Sequence, residues 1–385
     1  MPPNRNKKTS ESATGDAMSD CVLPQDMMLC IFTRLPVKSI HRFKSVCKQL
    51  REVLSSPEFA KMHRAQFPLN PENQSVVIGY PSFIHDNAIS LLKIETDEEK
   101  KPTKLDIPFS QDSDFAEFVG CCNGLLCIAF LQPGHFIFIA LCNPALNNMV
   151  KCISRPDLEI GEPENVSLGF GYNEEEDDFK VIIIAGVKNN NKETRVEVYS
   201  SNSDSWSTIN VDFQFTVPWF TNNAIVNGSP YWEAMVDGKT VLLCFDVRRM
   251  VFKIVPLPDF SYKEFDDCLF VDLKGDLGAL VFNRKNDETV LSLDLWVYYD
   301  VGKVGWTKNR IFGPIELNVH RFLQCSKNGK ILFGECLEDG KLLFMFDTES
   351  GRVKEIVVDG DKNGSFQVHG YTESLAYIKG MEFYD

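Results

Sequence analysis

The chain has 385 residues, 44% of them hydrophobic and 24% charged, enough for one large domain and one small one each to bury a core. Its formal net charge of −14 argues against nucleic acid as the main partner, because phosphate binding needs concentrated Lys and Arg. Residues 1–20 are polar throughout, with no apolar signal core, and the greasiest later run, FIFIAL, is too short to span a bilayer. A soluble protein of the cytoplasm and/or nucleus, without a membrane partner, is therefore expected.

After that polar tail, which is expected to be disordered, Leu23-Pro24-Gln25-Asp26 opens a helix in which Met28, Ile31, Phe32 and Leu35 recur on one apolar face. Pro36 stops it. A second periodic stretch carries Ile40, Phe43, Val46, Cys47, Leu50 and Leu54, until Ser55-Ser56-Pro57 breaks it and Ser56 caps a last short helix bearing Phe59 and Met62. So small a unit, three or four helices over residues 21–66, lacks core of its own, and a partner covering part of its apolar surface would relieve the shortage. It is also basic. Between Cys21 and Phe67 eight Lys/Arg face three Asp/Glu, +5 in all, while residues 68–385 carry −19, an asymmetry that predicts two domains with different partners.

The run LPQDMMLCIFTRLPVKSIHRFKSVCKQLREVLSSPEFAKMH resembles the F-box, in its plant form, across essentially the full motif. The resemblance implies binding to a Skp-type adaptor, through which cullin and RING subunits bring in the ubiquitin-conjugating enzyme. Carried over by position, the adaptor-facing candidates are Leu23, Pro24, Ile31, Leu35, Pro36, Val46, Cys47 and Leu50. Each could equally pack the helices on one another. The family commonly has Trp where this chain has Leu50, which removes a large interface anchor and lowers the expected affinity.

From residue 67 onward the helical period gives way to alternation and short apolar runs between Gly, Asn, Asp and Pro clusters. Six segments share one pattern of strand, charged turn and second strand; aligned on Ile94, Asn143, Tyr199, Asp246, Tyr299 and Asp347 they repeat about every fifty residues. Further strand pairs lie between them, several around an N-G turn, as in CCNGLLCIAF and AIVNGSPYWEAM. Two hairpins per repeat predict a mainly β fold, a β-propeller of about six four-stranded blades over 67–385, closed by SFQVHGYTESLAYI or by SVVIGY. The same region resembles the F-box-associated domain of plant F-box proteins in CNGLLC, CNPA, GFGYNEEEDDFKV, VEVYSSNSDSW, VNGSPYW, CFD, DLWV, GWTK and YTESL.

Trp206, Trp232 and Trp306 fall at equivalent repeat positions and are expected to pack blades together. In FQFTVPWFTN the aromatic residues Phe213, Phe215, Trp219 and Phe220 crowd a connection between blades, either as an anchor for a protein target or as inter-blade filling. The acidic run NEEEDD lacks calcium-loop spacing and reads as a solvated hairpin tip. RPDLEIGEPEN, KNNNKETR and NRKNDET are candidate recognition loops. Twelve scattered cysteines show no metal pairing, the six His are dispersed and no nucleophile motif occurs, so neither metal, cofactor nor catalysis is expected. Three readings compete: a substrate-recognition subunit of an SCF-type (Skp-cullin-F-box) ubiquitin ligase, a scaffold that binds the adaptor weakly because of Leu50, and a propeller enzyme.

Overall fold

The computed structural model describes residues 24–79, 89–94, 102–105, 115–132, 135–146, 149–154, 165–186, 194–217, 224–258, 268–284, 290–300, 304–316, 319–327, 329–336, 342–357 and 366–383. The expected polar tail and Leu23 lie outside them. Four helices lead, α1 (Gln25–Phe32), α2 (Val37–Phe43), α3 (Lys48–Leu54) and α4 (Pro57–Gln66). The single stretch expected after Pro36 is two helices. Cys47 breaks it with extended backbone (φ −154°, ψ 163°) and caps α3, its Sγ accepting from Leu50 N–H at 3.4 Å. Ser56 caps α4 as expected, with Oγ 3.1 Å from Phe59 N.

All described sheets have four strands, and there are six. Blade 1 joins β1 (Ser75–Gly79), β2 (Ile89–Lys93) and β3 (Thr103–Leu105) to the last strand, β24 (Gln367–Tyr371). Blade 2 holds β4 (Phe115–Cys122), β5 (Leu125–Gln132), β6 (His135–Asn143) and β7 (Met149–Ser154). Blade 3 holds β8 (Asn165–Asn173), β9 (Asp178–Gly186), β10 (Thr194–Ser200) and β11 (Ser205–Ile209). Blade 4 holds β12 (Ala224–Val226), β13 (Ser229–Val236), β14 (Lys239–Asp246) and β15 (Val251–Val255). Blades 5 and 6 follow with β16 (Cys268–Leu273) to β19 (Gly305–Glu316) and β20 (Val319–Cys325) to β23 (Val353–Ile356). The propeller is thus six-bladed. Both expected closing segments are used, paired to each other from Ser75↔Tyr371 to Gly79↔Gln367.

The core is a set of apolar layers between successive blades. Leu125, Ile139 and Leu141 of blade 2 meet Leu168, Phe170 and Val181 of blade 3, and comparable layers separate every other pair. Because a blade is covered on both faces, β9 reads DFKVIIIAG, buried at eight consecutive positions, instead of alternating.

The turn after the third strand is built alike in blades 2, 4 and 6. Asp246 and Asp347 each accept two backbone N–H groups from the residues that follow, and Asn143 accepts from Ala145 N. In blade 3 the strand ends one residue later than the aligned Tyr199, since Ser200, paired with Ser205, matches Asp246 paired with Val251. Trp206 and Trp306 are equivalent: each lies on a fourth strand and donates its indole N–H to the preceding blade, at Ser154 O (2.9 Å) and Pro256 O (2.7 Å). Trp232 is not their equivalent. It sits fully buried on a second strand and donates to Leu168 O of blade 3 at 3.0 Å.

At the closing seam Gln367 Nε2 donates to Glu117 Oε1 (2.7 Å) while its Oε1 accepts from Phe118 N (3.3 Å). Burial pushes the Glu117 carboxyl up to about 7 despite the Gln367 bond. A folded-state value above the ordinary 4.5 means that the contribution of Glu117 to stability is fully present below pH 4.5 and is lost as pH rises through about 7. Glu117→Gln should flatten that slope and raise the urea midpoint above pH 7; an unchanged slope would assign it to another group.

Candidate functional site

The helical module divides its apolar residues between two sides. Phe32, Ile40, Leu54 and Phe59 form its core, with Met28, Leu29, Leu35 and Leu50 packed partly buried around them. Met27 (54% exposed), Ile31 (48%), Phe43 (38%) and Val46 (68%) remain open with the propeller in place. Of the sequence-derived adaptor candidates, Pro24, Ile31, Pro36, Val46 and Cys47 are exposed, while Leu35 and Leu50 are half-buried and shared with the core. The Leu35 carbonyl also holds the ring of buried His63, 2.9 Å from Nε2. Met27 and Phe43 were not singled out by the sequence. Their helical spacing marks an apolar face but not which of its members stay uncovered.

The other side of the module rests on the propeller. Buried Val37 of α2 packs on Ala145 and Leu146, in the turn between β6 and β7. Leu375, just past β24, contacts both that cluster and the module core. The Val37 N–H donates to Glu373 Oε1 at 3.1 Å. From α4, the Arg64 guanidinium donates to the Tyr172 hydroxyl, lies 5.0 Å over its ring and pairs with Asp177 at 3.0 Å.

Antiparallel strands alternate direction, so the turns after the first and third strands of each blade share one face of the propeller. The module sits on that face. The ends bordering the three polar stretches lie on the opposite face: Ser154 with Asn165, Gly186 with Thr194, and Arg284 with Val290. The central residues of those stretches (155–164, 188–193 and 285–289) are outside the described ones.

Phe215 does not form an exposed anchor. It is 2% exposed, in the layer between blades 3 and 4, with its ring 5.2 Å from Phe252, and Phe213 packs half-buried against the same layer. Phe213 and Phe215 are inter-blade filling, the second of the two readings, and their assignment to target binding is corrected, because Thr216 bridges Met235 of β13 and holds this segment against blade 4. Trp219 and Phe220 lie outside the described residues.

In NEEEDD the tip, 174–177, is exposed, but Asp178 is buried and serves the fold. It accepts from Lys180 Nζ and Ser200 Oγ at 2.6 Å, Ser201 Oγ at 2.9 Å and Asn202 N at 3.0 Å. Burial alone would raise this carboxyl; the Lys180 ammonium and the three other donors outweigh it and hold it below the ordinary carboxylate range. Among the described residues no group of three His, Cys, Asp or Glu is placed to hold a metal, and no helix is long and apolar enough to cross a membrane. Burial pushes the thiols of Cys142 and Cys325 up to about 12, keeping them protonated.

A depressed folded-state value means that Asp178 stabilises the fold above its ordinary value of 3.8 and that this contribution is lost as pH falls through the lower one. Asp178→Asn should therefore lower the melting temperature at pH 7, with the gap to wild type closing in strong acid; a constant gap would mean that shape, not charge, is at stake.

Two family models match the chain: the F-box domain over residues 21–62 and the F-box associated beta propeller domain over residues 83–378. An F-box/kelch-repeat protein of Arabidopsis thaliana is 27% identical over 317 residues, 77% of this chain and 81% of the relative. An F-box protein of the same plant is 26% identical over 353 residues, 80% of this chain and 79% of the relative. Among solved structures, TolB from Acinetobacter baumannii aligns with a TM-score of 0.47 at 9% identity, over 78% of this chain and 67% of that one.

Proposed function

Since the chain belongs to the F-box proteins that carry an F-box-associated β-propeller, we propose that it is the substrate-recognition subunit of an SCF-type ubiquitin ligase. Family membership supports the general role and its Skp-type adaptor; the surfaces named here are our own assignment. The adaptor binds the exposed apolar set on the helices, Ile31, Pro36, Val46 and Cys47 from the sequence together with Met27 and Phe43. The observation that carries this is that these side chains stay open after the propeller has covered Val37, whereas a folded chain rarely leaves such a set without a partner.

The target protein binds the propeller face opposite the module, where the longer inter-strand connections emerge. The adaptor, cullin and RING subunits then bring the conjugating enzyme near the target's lysines. The chain's contribution is proximity and orientation rather than chemistry of its own. With this role goes an expected location in the cytoplasm and/or nucleus. Leu50 favours the second reading, a scaffold with weak adaptor affinity, because it is half-buried and presents less surface than Trp at that position.

Binding of the full chain to a purified plant Skp-type adaptor tests both readings. Ile31→Asp/Val46→Asp should weaken binding by about thirtyfold or more, the scale of lost interface anchors, without lowering the melting temperature, since both side chains are exposed. Leu50→Trp should tighten it. No wild-type binding, restored by Leu50→Trp, would put the scaffold reading first, and a double variant that binds as wild type would overturn the surface.

A further inference from the structure

The motifs that carry the resemblance in the propeller lie far apart in the chain, yet four of them meet beneath the helical module. From CNGLLC, the Asn123 carbonyl accepts from Ser374 Oγ at 2.6 Å. Its partner Gly124 (φ +76°) leaves room for the crossing chain, since a Cβ there would come within 2.8 Å of Ser374 N. From CNPA, Asn143 Nδ2 donates to the carbonyls of Ser374 (3.1 Å) and Ala376 (2.7 Å), while Ala145 supports Val37. From GFGYNEEEDDFKV come Tyr172 and Asp177, which hold Arg64. YTESL supplies Glu373 and Leu375 themselves.

The segment after β24 is thus a strap. Its Ser374, Ala376 and Ile378 face the propeller, fixed further by the paired backbone of Glu382 and Val150, while Glu373 and Leu375, on either side of Ser374, face the helices.

We propose that this constellation is a rigid joint, and that Arg64, Glu373 and Leu375 are positioning residues that hold the adaptor-binding helices at one angle to the propeller. This rests on the receptor reading above. Three attachments of different kinds act on two helices: apolar contact and a carboxylate at the N-terminal end of α2, and a charged clamp on α4. Rotation about any one of them is resisted by the others. A ligase that works by proximity needs such a joint, because a swinging target spends little time at the conjugating enzyme. In this chain the four propeller motifs therefore serve the joint, and the opposite face is left for the target.

The test uses the full chain with spin labels on noncanonical residues replacing exposed Lys61 on α4 and Lys239 on the far face of blade 4, so that the native cysteines are untouched. Wild type should give one narrow distance distribution. Arg64→Ala/Glu373→Ala should broaden it while adaptor affinity and propeller melting stay unchanged, and the swap Arg64→Asp/Asp177→Arg should stay narrow, where Arg64→Asp alone broadens. In the assembled ligase, ubiquitin transfer to the chain's own propeller lysines should be confined to a few sites for wild type and swap and spread over many in the broadened variants. A broad wild-type distribution, or a broadened variant with the wild-type lysine pattern, overturns the proposal. Failure of the wild type to bind adaptor would instead sink the receptor reading, and the distance measurement would still decide whether the joint is rigid.

Discussion

The pairing of β24 with β1 is the constraint on which the rest of the molecule depends. Six sheets in a row would leave two apolar blade faces uncovered at the ends, and a ring covers them only if first and last meet. Here they meet within one blade, through five residues of the C-terminal region lying beside Ser75–Gly79. The last strand occupies the innermost position, where its neighbours include β4 and β20 from the adjoining blades. Closure is thus a backbone ladder supported on both sides by the apolar layers of Val77 with Tyr371 and of Val76 with Val368.

Closure also decides where the two ends of the propeller emerge. Ser75 and Tyr371 are register partners, so the chain arrives from the helices and departs into the strap at the same place. Only a short connection separates α4 from β1, which keeps the helices near that point. The strap then has its seat prepared by blades 2 and 3: Asn143, Asn123 and the layer containing Ala376, Ile378 and Met381. The ring's topology brings helices and propeller together, and the attachments of Arg64, Glu373 and Leu375 then hold the contact.

How much of this was legible follows from whether each signal was local. The blade period was legible because a turn residue such as Asp246 or Asp347 satisfies N–H groups two and three residues away. The break at Cys47 was not, because apolar spacing runs through it unchanged and the interruption is a backbone conformation that any residue can adopt. Phe213 and Phe215 show the opposite difficulty: a crowd of aromatics between strands looks like an anchor until the neighbouring blade, with Phe252, is known to cover it. Likewise Trp206 and Trp306 lie two fifty-residue periods apart on fourth strands, whereas Trp232 falls half a period out of step, on a second strand, and its indole bonds to a different part of the neighbouring blade. The motif strings were visible, but their meeting beneath the helices was not, since Asn123 and Ser374 are brought together only by closure.

The short apolar core of the helices was expected to need a partner, and the structure divides that need in two. The propeller meets one part, since Ala145, Leu146 and Leu375 cover Val37 and extend the cluster around Ile40. Met27, Ile31, Phe43 and Val46 are left over. Burying them against the propeller would have stabilised the chain further at the usual rate for apolar area, so their exposure is a stability forgone within the fold. The same economy explains why Leu35 and Leu50 resist assignment to core or interface. In a module this small a side chain can touch the core with one edge and present the other outward, and an adaptor docking there would complete the burial that the helices begin.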